Sequence, residues 1–237
     1  MSNKELREKG RIAFKANYWA CVVASLLLTI IVALTTAAGG SSADNAADTA
    51  EESASIGESL SEMTNTEIAV ILGAIIGVIV VVIIVSILIR LFLYNPLQVG
   101  CYRFFRKNTE NYPVRLGVIK QGFGNYGHTF VTLLLRDLFL FLWTLLFLIP
   151  GIVKTYSYRL VPYIIKDNPE LSASQVITRS RELMDGYKGK AFLLDLSFIG
   201  WLLLSIITFG IVGIFWTNPY YESASAAFYL DVLANQQ

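Results

Sequence analysis

IAVILGAIIGVIVVVIIVSILIRLFL, residues 68–93, runs from Ile68 to Leu93 with a single charge, Arg90. A helix needs about 20 mostly apolar residues to cross about 30 Å of hydrocarbon. The stretch therefore reads as a membrane-spanning helix, and the chain as an integral membrane protein. Its composition agrees. The 237 residues are 54% hydrophobic and 16% charged, with mean hydropathy +0.55, whereas soluble domains carry about 25% charged residues. A cytosolic enzyme, a disordered regulator and a secreted disulfide scaffold are excluded on those grounds. A net charge of +1 with no strongly basic block argues against nucleic acid as a partner.

Working outward, residues 18–38 form a second uncharged run, read as a span rather than a cleaved signal peptide because it is longer than a usual signal core. A third span is expected over 128–149, stopped by Pro150-Gly151. Residues 152–165 are short and semi-polar, with Lys154, Arg159 and Pro162. Spans at 191–209 and 211–233 are separated only by Thr208-Phe209-Gly210, which predicts a tight helical hairpin.

Charge asymmetry sets the count. Lys4, Arg7, Lys9, Arg11 and Lys15 precede the first span, and Arg103, Arg106, Lys107, Arg115 and Lys120 fall within 94–127. Lys166, Arg179, Arg181, Lys188 and Lys190 fall within 166–190, whereas residues 39–67 carry acids and no base. Lys and Arg mark cytoplasmic loops. All three basic segments lie inside only if 152–165 returns across the membrane. The predicted fold is therefore an all-α polytopic membrane protein, one domain of six transmembrane helices with both termini cytoplasmic. The fourth helix is short and semi-polar, and residues 39–67 form an external acidic loop, read as a flexible tether. Residues 171–188 suggest a short cytoplasmic amphipathic helix capped by Ser172 or Ser174, either lying under the inner leaflet or serving as a plain connector.

Few motifs carry chemistry. Gly122 to Gly127 matches G-x-G-x-x-G, but a dinucleotide site needs a preceding strand and a βαβ unit, so it reads as a turn. His128 is the single histidine, and no cluster with metal-ligand spacing exists. No G-x-S-x-G and no nucleophile–base pairing is present. No catalytic residue, metal or cofactor is expected. Cys21 and Cys101 fall at the cytoplasmic side, where thiols stay reduced. Gly73-x-x-x-Gly77 reads as a close-packing face within the bundle.

Intramembrane charges are costly, so they face the bundle interior or a wet cavity. Arg90, Arg136, Asp137 and Asp195 lie near the inner surface and are expected to snorkel. Arg159 and Glu222 fall near mid-depth. Tyr156, Arg159 and Tyr163 share one helical face, and Asn218, Tyr221, Glu222 and Ser225 share another. The two faces are expected to meet, either as a polar cavity or as a buried Arg159–Glu222 pair fixing register. In the cavity reading the binding residues are Lys154, Tyr156, Arg159, Tyr163, Asn218, Tyr221 and Glu222. Lys154 and Arg159 would partner an anion, Glu222 would be the counter-charge, and the tyrosines would form amphipathic walls.

Several motifs recur in order in one family: Ile149-Pro-Gly-Ile152, Tyr156-Ser-Tyr158, Pro162-Tyr-Ile164, Asp167-Asn-Pro169, Ser180-Arg-Glu-Leu-Met184 with Gly186, Leu196-Ser-Phe-Ile-Gly-Trp201, Pro219-Tyr220 and Phe228-Tyr229. Asn17-Tyr18-Trp19 fits too. Together they resemble the bacterial membrane-protein family called domain of unknown function 975, over nearly the whole chain except the acidic loop. The plan is also similar, more distantly, to the membrane domain of glycerophosphoryl diester phosphodiesterases, without room for their catalytic barrel. The resemblance implies a multi-pass protein of the bacterial plasma membrane and no established activity. The expected role is non-enzymatic binding of a lipid, a small amphipathic molecule or an envelope protein partner. A transporter of small solutes or lipids is the alternative.

Overall fold

In the computed structural model the chain is described over residues 1–37, 64–89 and 93–236, and every regular element among these is helical. Arg90 and residues 39–63 of the expected acidic loop lie outside the described residues. The chain divides into two compact units, residues 31–91 and residues 1–30 with 92–237. Within the first of these, α3 (Asn65–Ile89) is a 25-residue helix whose described side chains are exposed. A Cβ at Gly73 or Gly77 would meet nothing within 4 Å among the described residues.

The larger unit opens with α1 (Asn3–Ala16), started by a Ser2–Glu5 capping box. Leu6, Gly10, Ala13 and Phe14 form its buried face. The chain then bends by 106° into α2 (Tyr18–Ala37). Asn17 and Asn108 hold this corner. Asn17 Nδ2 donates to Asn108 Oδ1 at 2.9 Å and to the Val114 carbonyl at 2.7 Å, while Asn108 Nδ2 donates to the Ala13 carbonyl at 3.0 Å.

Two antiparallel hairpins follow. α5 (Tyr126–Leu146) ends at the extended Phe147, and α6 (Leu148–Ser157) folds back along it, placing Lys154 Nζ 4.6 Å from the Trp143 ring. After a turn at residues 158–160, α7 (Val161–Asp167) completes the return. At the far end His128 Nε2 donates to the Leu171 carbonyl at 2.7 Å. The short fourth span expected over 152–165 is thus two helices broken before Pro162. The proline fixes the first turn of α7 and offers no N–H to continue α6.

The second hairpin joins α9 (Lys188–Leu196) and α10 (Ile199–Ile207) to α11 (Asn218–Ala234) through a turn in which Phe209 and Gly210 take φ of 50° and 84°. Three contacts pair the strokes along their length. Trp201 stacks on Trp216, the Tyr221 hydroxyl donates to Asp195 at 2.9 Å, and Lys190 Nζ meets Asp231 at 2.6 Å. The expected tight hairpin is present. Among the described residues, two helical stretches are long and apolar enough to cross a membrane, 126–146 and 188–207, and the bent 3–30 pair would make a third. The expected span over 211–233 departs from an apolar crossing helix. It passes through a π-helical turn, Gly213–Thr217, into α11, which is buried along most of its length.

α4 (Asn95–Glu110) occupies a stretch expected to be a loop. Pro96 sits in its first turn, and Val99, Cys101, Phe104 and Phe105 are fully buried. α11 presents Ser223, Ala224, Ser225, Ala226 and Ala227, small enough for close crossing. Gly10 of α1 uses this: an added Cβ would lie 2.6 Å from the Ala224 nitrogen. α8 (Ala173–Leu183) is capped by Ser172 through a Ser172–Gln175 capping box. Its Val176, Ile177, Ser180 and Leu183 are buried in the protein, which favours the connector over a helix floating on lipid. The G-x-G-x-x-G stretch, 122–127, runs from the end of a 3-10 helix, Leu116–Phe123, through a turn into the first residues of α5. The amine of Met1 donates to Asp231 of α11 at 2.8 Å.

Candidate ligand-binding cavity

The two hairpins meet around one guanidinium. Arg159 sits in the turn between α6 and α7. Its Nη1 lies 2.9 and 3.0 Å from the two carboxylate oxygens of Asp195, and its Nη2 donates to the Tyr221 hydroxyl at 2.9 Å and the Ser225 hydroxyl at 3.2 Å. The Tyr221 and Phe228 rings flank it at 5.8 and 5.9 Å. The arrangement satisfies a mostly buried cation without solvent, as such a position requires.

Beside this knot lies a cavity of about 490 Å³. Its lining includes polar groups from Arg136, Gln98, Tyr102, Asp195 and Arg159 and apolar side chains from Leu140, Ile152 and Pro162. Thr155, Tyr156, Tyr158 and Tyr221 complete it. Arg136 is steered by its neighbour, with Nη2 2.7 Å and Nε 2.9 Å from Asp137 Oδ1. One cavity thus offers charged and hydroxyl groups beside hydrocarbon, the chemistry of an amphipathic molecule.

Three of the expected residues, Tyr156, Arg159 and Tyr221, line this cavity. The other four do not. Lys154 stacks on Trp143 toward the hairpin tip. Asn218 donates to Thr29 of α2 at 3.1 Å. Tyr163 is buried between the Tyr102 and Tyr229 rings, with centroids 4.9 and 4.8 Å away. Glu222 is not among the hydrogen-bond or ion-pair partners of Arg159, and its Oε2 is buried with no hydrogen-bond partner among the described residues.

The expected Arg159–Glu222 pair is therefore replaced by Arg159–Asp195. A face shared by Tyr221, Glu222 and Ser225 spans more than one direction around the helix, and the hairpin register turns Tyr221 and Ser225 toward Arg159. Asp195 is paired with Arg159, and Arg136 with its neighbour Asp137. Gln98 and Tyr102 escaped notice because α4 was read as a loop.

Residues 146–236 match the model of a family described as Protein of unknown function (DUF975). Over that stretch the chain is similar to the DUF975 family. The DUF975 segment covers both strokes of the second hairpin and the return stroke of the first, so it contributes Ile152, Tyr156, Arg159, Pro162, Asp195 and Tyr221 to the cavity. Gln98, Tyr102, Arg136 and Leu140 precede the match, as does Asn17-Tyr18-Trp19. No curated protein and no solved structure matches the chain.

Proposed function

We propose that this chain is a multi-pass protein of the bacterial plasma membrane that binds, without chemical turnover, an amphipathic molecule with an anionic head. The observation that carries the reading is the 490 Å³ cavity, whose lining brings Arg136 together with Leu140, Ile152 and Pro162. An anionic head would accept hydrogen bonds from Arg136, Gln98, Tyr102 and Thr155, and an acyl or alkyl group would lie on the apolar side chains. Arg159 has both terminal nitrogens engaged by the protein, so it shapes the site and adds field rather than gripping the head. In this reading both termini are cytoplasmic, and α6 with α7 serves as a broken return crossing within a six-span plan. Native mass spectrometry of the protein released from mild detergent tests the proposal. Wild type should retain a defined anionic amphiphile that Arg136→Ala loses. An empty wild-type protein would contradict it.

A transporter is the second reading, supported by the break at residues 158–160 beside the cavity, since transporters place binding sites at interrupted helices. Flux of the retained molecule across liposomes, lost in Arg136→Ala, would favour it.

A further inference from the structure

A second cavity, of about 440 Å³, lies at the end of the larger unit that holds the start of α5. Arg103 and Lys107, one turn apart on α4, meet Lys166 from the end of α7 there, with Gln121, Gly124 and Asn125 completing the wall. It shares no residue with the first cavity. We propose that it binds a phosphate group, carried by a membrane phospholipid headgroup or by a soluble phosphorylated compound.

The argument begins with charge. Three cations line the space, no Asp or Glu does, and none of the three has an ion-pair partner among the described residues. Acids are close by but directed elsewhere: Glu110 and Asp167 lie 3.0 and 3.3 Å from the neighbouring Arg106. Like charges held together in a folded chain repel, and a bound anion relieves that repulsion.

The cations are also positioned, by neutral oxygens. Gln121 Oε1 accepts from Arg103 Nε at 2.8 Å and from Lys107 Nζ at 3.4 Å. Arg103 Nη1 donates to the Lys166 carbonyl at 2.7 Å, and Lys166 Nζ donates to the Gly124 carbonyl. An ammonium has three donors and a guanidinium five, so unused donors remain for a tetrahedral oxyanion.

The rim adds to this. Asn125, at φ 52° and on the cavity wall, directly precedes the 21-residue α5, so the positive end of that helix dipole lies beside the space. No aromatic side chain lines the cavity, so it lacks a platform on which a base would stack. Burial, together with the nearby Arg103, lowers the proton affinity of both Lys107 and Lys166, as expected for crowded cations without a counter-ion.

The site is independent of the amphiphile cavity, and so is its test. The full chain in maltoside micelles is titrated with inorganic phosphate by calorimetry. In parallel, retention of dioleoylphosphatidylglycerol is measured by native mass spectrometry. Gln121→Glu places a carboxylate where Arg103 and Lys107 converge. It should weaken binding by roughly tenfold or more while leaving thermal stability equal or higher, so loss of fold cannot mimic the result. Lys107→Gln with Lys166→Gln should weaken binding to a similar or greater degree, and Lys120→Gln, which lies outside the cavity, should not. Saturable binding of inorganic phosphate assigns a soluble ligand. Retention of phosphatidylglycerol alone assigns a headgroup. Binding of neither probe, or equal binding by wild type and Gln121→Glu, overturns the proposal.

Discussion

Asp195→Asn isolates the contact that joins the two hairpins. The carboxylate receives Arg159 Nη1 on both oxygens, at 2.9 and 3.0 Å, and the Tyr221 hydroxyl at 2.9 Å. Asparagine keeps the shape and one acceptor but loses the charge, and its amide nitrogen offers Arg159 a donor where it needs an acceptor. Exposed ion pairs contribute about 0–1 kcal/mol, whereas removing one partner from a fully buried pair costs about 3–5 kcal/mol. The side chains here are 16% and 28% exposed, which places the loss between those limits, at about 2 kcal/mol. In a chain of this size that lowers the melting temperature by roughly 4–8 °C. Tryptophan-fluorescence melts in detergent measure it. Arg159→Gln completes a double-mutant cycle, and the double variant should be less destabilised than the sum of the singles by about 1–2 kcal/mol. A single variant within about 0.5 kcal/mol of wild type, or strict additivity, would refute the role given to Asp195.

Glu222→Gln should leave stability equal or higher, because among the described residues Glu222 pairs with no cation and its Oε2 is buried without a partner; a loss like that of Asp195→Asn would restore the Arg159–Glu222 pair. Gly10→Ala should destabilise by about 1–3 kcal/mol through overpacking against the Ala224 backbone, although alanine gains about 1 kcal/mol in helix propensity; a stabilised variant in thermal melts would show that α1 does not cross α11 so closely. Lys107 and Lys166 release protons more readily when folded. Just below the usual lysine range the unfolded chain therefore binds more protons, so stability should rise with pH there, while phosphate affinity falls. Melts and phosphate titrations across that window check both signs, and parallel rather than opposite trends would count against the crowded-cation account.

The long apolar helices at 126–146 and 188–207 were legible because they depend on composition and run length alone. The second hairpin was legible because Thr208-Phe209-Gly210 interrupts two apolar runs. α1 and α4 were not, although Leu6, Gly10, Ala13 and Phe14, and likewise Leu97, Cys101, Phe104 and Asn108, recur at helical spacing. Their basic residues satisfy the rule for cytoplasmic loops, and that rule says nothing about whether such a segment folds. For the cavity, periodicity placed Tyr156 and Arg159 on one face and Tyr221 on another. It could not say which acid met Arg159. That choice depends on the register between two hairpins distant in sequence, where one turn decides between Asp195 and Glu222. The basic cavity combines residues from three separate segments, and only the fold brings Arg103, Gln121 and Lys166 together.

The most direct test of the account is photolabelling of the protein in liposomes containing a diazirine-bearing anionic phospholipid, with labelled sites mapped by mass spectrometry. Occupancy of the first cavity predicts labels on Leu140, Ile152 and Pro162, diminished in Arg136→Ala. Labels confined to outward apolar residues such as Phe141 and Leu145, unchanged by that substitution, would contradict it.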